Sequence, residues 1–290
     1  MALQLQTFRT RTLTAIVFVV IMLGGLLLSP WSFLLLFSII HVGCWIDYQK
    51  LAGLIDTDYS NISTFHKYGV ILAGFGFMLW MTSDVYSIGS VKLSELGWFL
   101  MMVVLIALPI NEILLSRQFK LKIIFTSLAG LLYISLSCGL MIALRSEGMI
   151  FGSLFSLDLG LILPLLLIGT IWINDTMAYI VGSLVGKTPF SSISPKKTWE
   201  GTIGGAVLAI AGITALAFRL FQADVTQVVF VTAIACVSGI LGDLLESKMK
   251  RRAGVKDSGN IMPGHGGFLD RFDSLLVATI FVWIYVKLFM

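Results

Sequence analysis

The chain has 290 residues, 57% of them hydrophobic and only 12% charged, and its mean hydropathy is +0.95, far from the roughly 25% charged residues of an ordinary soluble domain. Apolar runs close to the ~20 residues that cross a ~30 Å hydrocarbon core recur along the whole length, which excludes a water-soluble fold. The fold class is therefore all-α, a polytopic transmembrane helical bundle, because a membrane barrel would show short alternating strands instead.

About nine spans are predicted, over residues 13–29, 31–47, 67–83, 96–115, 123–144, 159–185, 201–219, 225–245 and 270–289. Arg9 and Arg11 before the first run give residues 1–28 the look of a signal peptide. The following LLLSPW has no small-residue cleavage site and leads directly into another span, so this segment is expected to be the first anchor. Cys44, Cys138 and Cys236 lie inside apolar runs without paired spacing and are expected to be buried free thiols.

Of the 20 Lys and Arg, all but Lys92, Arg145, Arg219 and Lys287 fall on one side if the N-terminus is cytoplasmic. The positive-inside rule thus predicts a cytoplasmic N-terminus and an outer C-terminus for nine spans. The net charge of +4 is what attraction to anionic lipid produces in many membrane proteins. Basic residues confined to span ends, with no soluble binding module, give no sign of nucleic acid as a partner.

Polar groups are distributed unevenly, and they divide the chain into an N-terminal transmembrane bundle, 1–158, of about five spans and a catalytic transmembrane region, 159–290, of about four. In the first, His41, Asn111 and Glu112 are the main intramembrane polar residues. His41 is expected to be a packed histidine, and Asn111-Glu112, after Pro109, to cap or kink a helix near its end.

The second region is different. In LILPLLLIGTIWINDTMAYIVGSLVG, Asp175 lies far inside the span, where a carboxylate costs roughly 2.5–3.5 kcal/mol and needs a cation, a wet cavity or a hydrogen-bonding partner. Asp175, Tyr179, Gly182 and Gly186 share a helical stripe, with small residues where another helix can approach. An interhelical polar clamp would also explain that stripe.

GKTPFSSISPKKTWEGTIGG follows, residues 186–205. Pro189 and Pro195 interrupt the helix, Ser194 or Thr198 can cap the next one, and Lys196 and Lys197 set two ammoniums at the boundary. Adjacent lysines serve as topology signals, but one loop from a buried Asp they also suit a polyanion, with hydroxyls and a helix N-terminus as added donors. Glu200 could pair with one of them.

The eighth span ends GILGDLLESKMKRR, with Asp243, Glu246 and Ser247 on one face; acidic groups there oppose the macrodipole and call for a nearby cation. The ninth begins GFLDRFDSLL, where Asp270 and Asp273 are equally suited to helix capping. Between them PGHGG can fold the chain back and let backbone amides approach an anion. Basic residues, hard oxygen donors and a glycine turn suit magnesium-bound polyphosphate. No GxxxxGK[ST] loop is present, which disfavours an ordinary P-loop ATPase.

The motifs carry further information when taken together. S-x-M-K-R from Ser247, K-D-x-G from Lys256 and P-G-H-G-G-x-x-D-R-x-D from Pro263 to Asp273, with NDTMAY at 174–179, SPKKTWEG at 194–201 and GDLLES at 242–247, resemble the phosphatidate cytidylyltransferase (CDP-diacylglycerol synthase) family. Met262 stands where that pattern has Leu, Ile or Phe. The resemblance covers roughly 159–274, and the first five spans match the family only in hydrophobicity and number.

The resemblance implies an enzyme of phospholipid biosynthesis in the inner membrane of a bacterium, facing the cytoplasm, that makes CDP-diacylglycerol and pyrophosphate from CTP and phosphatidate. It implies Mg2+, as two divalent ions with room for an additional K+, held by Asp243 and Asp270, with Asp175 and Asp273 as further ligands or supports. Lys196, Lys197, Lys256 and Arg271 would neutralise phosphates, helped by Lys248 and Arg251. Ser194, Tyr179, Gly266 and Gly267 would contribute to substrate binding, and His265 would donate to a phosphate or hold the turn. A homodimer is compatible with the family. A CTP-dependent transferase or kinase for another lipid and, less well, a cation-coupled transporter are the competing readings.

Overall fold

The computed structural model describes residues 5–115, 120–155, 158–191, 193–260 and 266–290. They form helices α1 (Leu5–Leu27), α2 (Pro30–Ile55), α3 (Thr57–Ser60) and α4 (Thr64–Trp80), then a two-stranded hairpin, β1 (Ser87–Ile88) and β2 (Val91–Lys92). Helices α5 (Leu93–Leu115), α6 (Leu121–Gly130), α7 (Leu136–Phe155), α8 (Leu159–Val185), α9 (Trp199–Phe221), α10 (Val225–Arg252) and α11 (Leu269–Phe289) follow. A π-helical turn, Leu131–Ser135, joins α6 to α7 without a break.

Each predicted span coincides with a helical stretch. Seven of these, Pro30–Ile55, Leu93–Glu112, Leu121–Ser146, Gly160–Val185, Trp199–Phe221, Val225–Arg252 and Leu269–Phe289, are long and apolar enough to cross a membrane. Leu13–Leu27 is apolar but shorter, and α4, with 17 residues, is below the ~20 of a straight crossing. The chain is a polytopic helical membrane protein, and exposed Val20, Leu28, Phe99, Leu114, Leu184 and Leu288 are what lipid, rather than water, accommodates.

The helices start where the sequence supplies caps. Ser29 accepts from the Ser32 amide and Ser32 in turn accepts from the Ser29 amide, with Pro30 opening α2. Ser63, Asp158 and Thr198 cap α4, α8 and α9 by each accepting one backbone amide, from His66, Leu161 and Gly201. Asp224 accepts the Thr226 amide at 2.7 Å at the start of α10.

The chain packs as two compact units, Met1–Ala143 with Arg252–Phe272, and Leu144–Arg251 with Asp273–Met290. The sequence division at 158/159 follows polar content, whereas this one follows packing. In the first unit, Gly76 on α4 and Gly97 on α5 bring those helices into backbone contact: a Cβ at Gly76 would lie 2.7 Å from the Met101 amide nitrogen. His41 is fully buried and shares a 2.9 Å hydrogen bond with Ser135 of the π turn, which also accepts from the Trp45 indole at 2.9 Å. It is a packed histidine, as expected.

Pro109 does not end α5, which continues to Leu115. Glu112 instead accepts from or donates to His66 Nδ1 at 2.7 Å, while His66 Nε2 meets Ser127 Oγ at 2.8 Å. This chain of buried polar groups ties α4, α5 and α6. Outside the spans, the Lys122 ammonium lies 2.9 Å from Asp56 and holds its carboxyl below the usual carboxylate range. The three cysteines are free and buried.

In the second unit, α8 and α9 pack through small residues. A Cβ at Gly201 would lie 2.7 Å from the Ala178 carbonyl oxygen, and one at Gly205 would lie 2.6 Å from the Ala178 nitrogen. The G-x-x-x-G spacing of 201–205 thus serves a helix pair within one chain. Helices α10 and α11 run antiparallel, with Tyr285 donating to Gln227 at 2.7 Å and Gly242 and Gly239 facing Asp273 and Ser274. Gly205→Ala should lower stability by about 1–3 kcal/mol through overpacking, whereas Gly212→Ala, which meets open space, should not. Thermal midpoints of both variants in detergent measure the difference.

Candidate active site

The second unit gathers several of the predicted residues. The loop after α8 doubles back, with the Phe190 amide donating to the Lys197 carbonyl at 2.8 Å and the Trp199 amide to the Thr188 carbonyl at 3.0 Å. Phe190 packs edge-on against Trp199 with ring centroids 4.6 Å apart. Thr198 caps α9 through the Gly201 amide at 3.2 Å, so Thr198 rather than Ser194 is the cap. Ser194 offers its carbonyl to the Lys197 amide at 3.1 Å.

This folding aims Lys197 at α10, where its ammonium forms an ion pair with Asp243 Oδ2. Asp175 on α8 lies within electrostatic reach of both Lys197 and Asp243. Asp273 on α11 is buried and feels Asp243, Asp175 and Lys250. Three carboxylates from three helices therefore share one neighbourhood. Glu246, fully buried, is paired with Lys250 one turn on. The cations that offset these acids along α10 are lysines of the chain itself.

Glu200 does not pair with Lys196 or Lys197. Its carboxylate accepts the Lys187 amide at 3.1 Å, the Thr188 amide at 3.2 Å and the Thr188 hydroxyl at 2.8 Å, which fixes the loop base. The predicted stripe on α8 divides in two. Gly182 and Gly186 face Thr198 and Gly201, while Asp175 and Tyr179 are exposed, Tyr179 by 77%.

Asp270 belongs to the first unit. Its Oδ2 accepts three hydrogen bonds of 2.8 Å, from the Ser258 amide, the Ser258 hydroxyl and the Gly267 amide. Gly266 has φ +83°, a left-handed conformation open to glycine, and a Cβ there would lie 2.5 Å from Asp270 Oδ2. The turn that brings the Gly267 amide to the carboxylate therefore requires glycine.

Two residues of this cluster escaped the sequence. Ser258 sits at the variable position of K-D-x-G, and Asp47 at the end of a predicted span. Asp47 is 2% exposed and its Oδ2 accepts the Leu269 amide at 3.1 Å. The available signal was that Asp47 is the one acidic residue in α2.

Lys196, Lys248, Arg251, Lys256 and Arg271 are exposed, and Lys197 is partly so. His265 lies outside the described residues. Among the described residues no group of three or more His, Cys, Asp or Glu is arranged around a single metal position. The donor chemistry nevertheless fits a hard divalent cation: around α10, Asp175, Asp243, Asp273 and Glu246 face two ammoniums, Lys197 and Lys250, and carboxylate oxygen is what Mg2+ prefers.

Comparison with known proteins agrees with the motifs. A Staphylococcus saprophyticus protein named phosphatidate cytidylyltransferase is 33% identical over 277 residues, 92% of this chain and 95% of the relative. A Staphylococcus haemolyticus protein of the same name is 51% identical over 108 residues, 37% of this chain and 42% of the relative. The chloroplastic phosphatidate cytidylyltransferase 4 of Arabidopsis thaliana is 38% identical over 164 residues, 53% of this chain and 41% of the relative. The chain thus spans less than half the length of these last two. The description of the cytidylyltransferase family matches residues 9–289, and with almost the whole sequence inside that match, this chain belongs to the cytidylyltransferase family.

Proposed function

We propose that this protein is an integral membrane nucleotidyltransferase that converts CTP and phosphatidate to CDP-diacylglycerol and pyrophosphate in phospholipid biosynthesis. The observation that carries the reading is the ordered set of polar motifs within a near-full-length similarity to a protein of that name. In the reaction, a phosphatidate phosphate oxygen attacks the α-phosphorus of CTP, the bond from that phosphorus to the bridging oxygen breaks, and pyrophosphate leaves. A phosphate monoester has a second pKa near ~6 and is largely dianionic at neutral pH. No strong general base is required, and the larger barrier is the meeting of two polyanions.

The residues are suited to that barrier. Lys197 holds an ammonium beside Asp243, and Lys196, Lys256 and Arg271, with Lys248 and Arg251, supply further positive charge. Mg2+ held by Asp243 and Asp270, with Asp175 and Asp273 in support, would neutralise phosphate oxygens and the leaving group. The basic loops support a site on the cytoplasmic face of a bacterial inner membrane, where CTP would arrive from water while acyl chains stay in lipid. Pyrophosphate as product separates this reaction from a kinase, which would release CDP, and from a transporter, which would release neither.

Asp243→Asn and Asp270→Asn should each lower pyrophosphate release by roughly 10²- to 10³-fold, the cost of removing a group that stabilises transition-state charge. Asn keeps size and one oxygen acceptor, so the thermal midpoint in detergent should change little by comparison. Near-normal activity with unaltered Mg2+ dependence in both variants would remove them as metal ligands.

Lys197→Gln should reduce kcat/KM for CTP more than Lys196→Gln, since only Lys197 is drawn into contact with Asp243. Membrane insertion of both should be normal, because one lost charge leaves most of the positive bias in place. Equal, unchanged kinetics would reduce the two lysines to topological anchors.

A further inference from the structure

We infer that Asp47, in the N-terminal half and outside the signature motifs, is a positioning residue of the active site: it fixes the backbone that aims Asp270. The inference rests on the cytidylyltransferase reading for its catalytic meaning and on the first unit's geometry for its substance. Asp47 is the single acidic residue of α2 and is 2% exposed. Its Oδ2 accepts the Leu269 amide at 3.1 Å, and the Phe268 amide is a second backbone partner. These amides open α11. A helix leaves its first N–H groups without intrahelical partners and carries partial positive charge there. Asp47 supplies the missing acceptor from a segment more than 200 residues earlier in the chain.

The second connection runs through Ser258. Its hydroxyl lies 2.8 Å from Asp270 Oδ2 and 3.4 Å from Asp47 Oδ2. A hydroxyl has one proton, and the shorter contact gives it to Asp270. Asp47 therefore does not compete for Asp270's donors but confines the residues that carry them. Any Cβ at Gly259 would strike Asp47 Oδ1, and any Cβ at Gly267 would strike Asp47 Oδ2. Gly259 follows Ser258, and Gly267 itself donates to Asp270 at 2.8 Å. The Asp47 carboxylate thus touches the chain on both sides of the cradle holding Asp270, and α11 is anchored one residue before it. Small displacements of a reacting group are costly even when the group itself is intact.

The test uses full-length protein in phospholipid-containing detergent micelles, as wild type, Asp47→Ala and Asp47→Asn. Hydrogen–deuterium exchange should rise at the amides of 258–259 and 267–270 in Asp47→Ala and stay unchanged in α4. Pyrophosphate release should show kcat falling by about 10- to 100-fold, the usual effect of losing a group that orients a ligand, with KM for CTP moved by less than about threefold. Asp47→Asn retains volume and one accepting oxygen, should lie between, and carries the test alone if Asp47→Ala does not accumulate. Unchanged exchange in these amides, or raised exchange with unchanged kcat, overturns the inference. If wild-type protein releases no pyrophosphate from CTP and phosphatidate, the cytidylyltransferase reading fails and Asp47 loses its catalytic meaning, while the exchange data still report separately on the clamp.

Discussion

A charge held at membrane depth must be matched there, and this requirement organises the molecule. Taking an ion out of water costs several kcal/mol, so every buried acid is a demand for a partner. The demands are met in different ways: Asp243 by Lys197, Glu246 by Lys250, Glu112 by His66, and Asp47 by the opening amides of α11. Because each partner but Lys250 lies on another segment, matching the charge also selects which segments become neighbours.

The glycines supply the approach that such matching needs. Lipid tails are as apolar as leucine side chains, so no hydrophobic gain pulls two helices together in the membrane, and close van der Waals packing must do so. Gly201 and Gly205 lay α9 on the backbone of α8 around Ala178, which sets the start of α9 and the loop before it. That loop places Lys197. Across α10 and α11, Gly242 brings the backbone of Asp273 close, so an acidic side chain arrives where Asp243 already stands. Small residues thus determine where large charges meet.

Helix positions were legible because length and apolarity alone decide what can cross ~30 Å of hydrocarbon, whereas the count of spans was not, since α4 and the apolar Leu13–Leu27 of α1 are helical but fall short of that length. The nearness of Lys197 to Asp175 was legible in kind, since the lysines lie one loop from an intramembrane acid. What a single segment cannot show was lost. The π turn at Leu131–Ser135 accommodates Trp45 and His41 from another helix, and nothing in LLYIS announces it. Asn111-Glu112 read as a cap or kink near the end of a helix, and the tie from Glu112 to His66 on another helix leaves no mark there. Asp47 was not singled out because its partners lie at 258 and 269, and Glu200 read as a lysine partner because amides of the preceding loop leave no mark in sequence.

The two foremost carboxylates are held by different means, which sets what each can do. Asp270 is fixed by two backbone amides and a hydroxyl. The two amides are part of the backbone and cannot swing out as a long side chain can, so they keep the carboxylate oriented. Asp243 is balanced by a lysine on a flexible four-carbon stem, a point charge that can move to another anion without rebuilding the backbone. Under the proposed reaction, a phosphate competing for Lys197 would draw the ammonium away and leave Asp243 with negative charge to offer a cation. The ion pair matches the Asp243 carboxylate, and in the proposed reaction it would separate into a phosphate contact and a metal ligand. The lysine that neutralises Asp243 is therefore the one whose departure would free that carboxylate, whereas the amides that donate to Asp270 would hold its orientation through such an exchange.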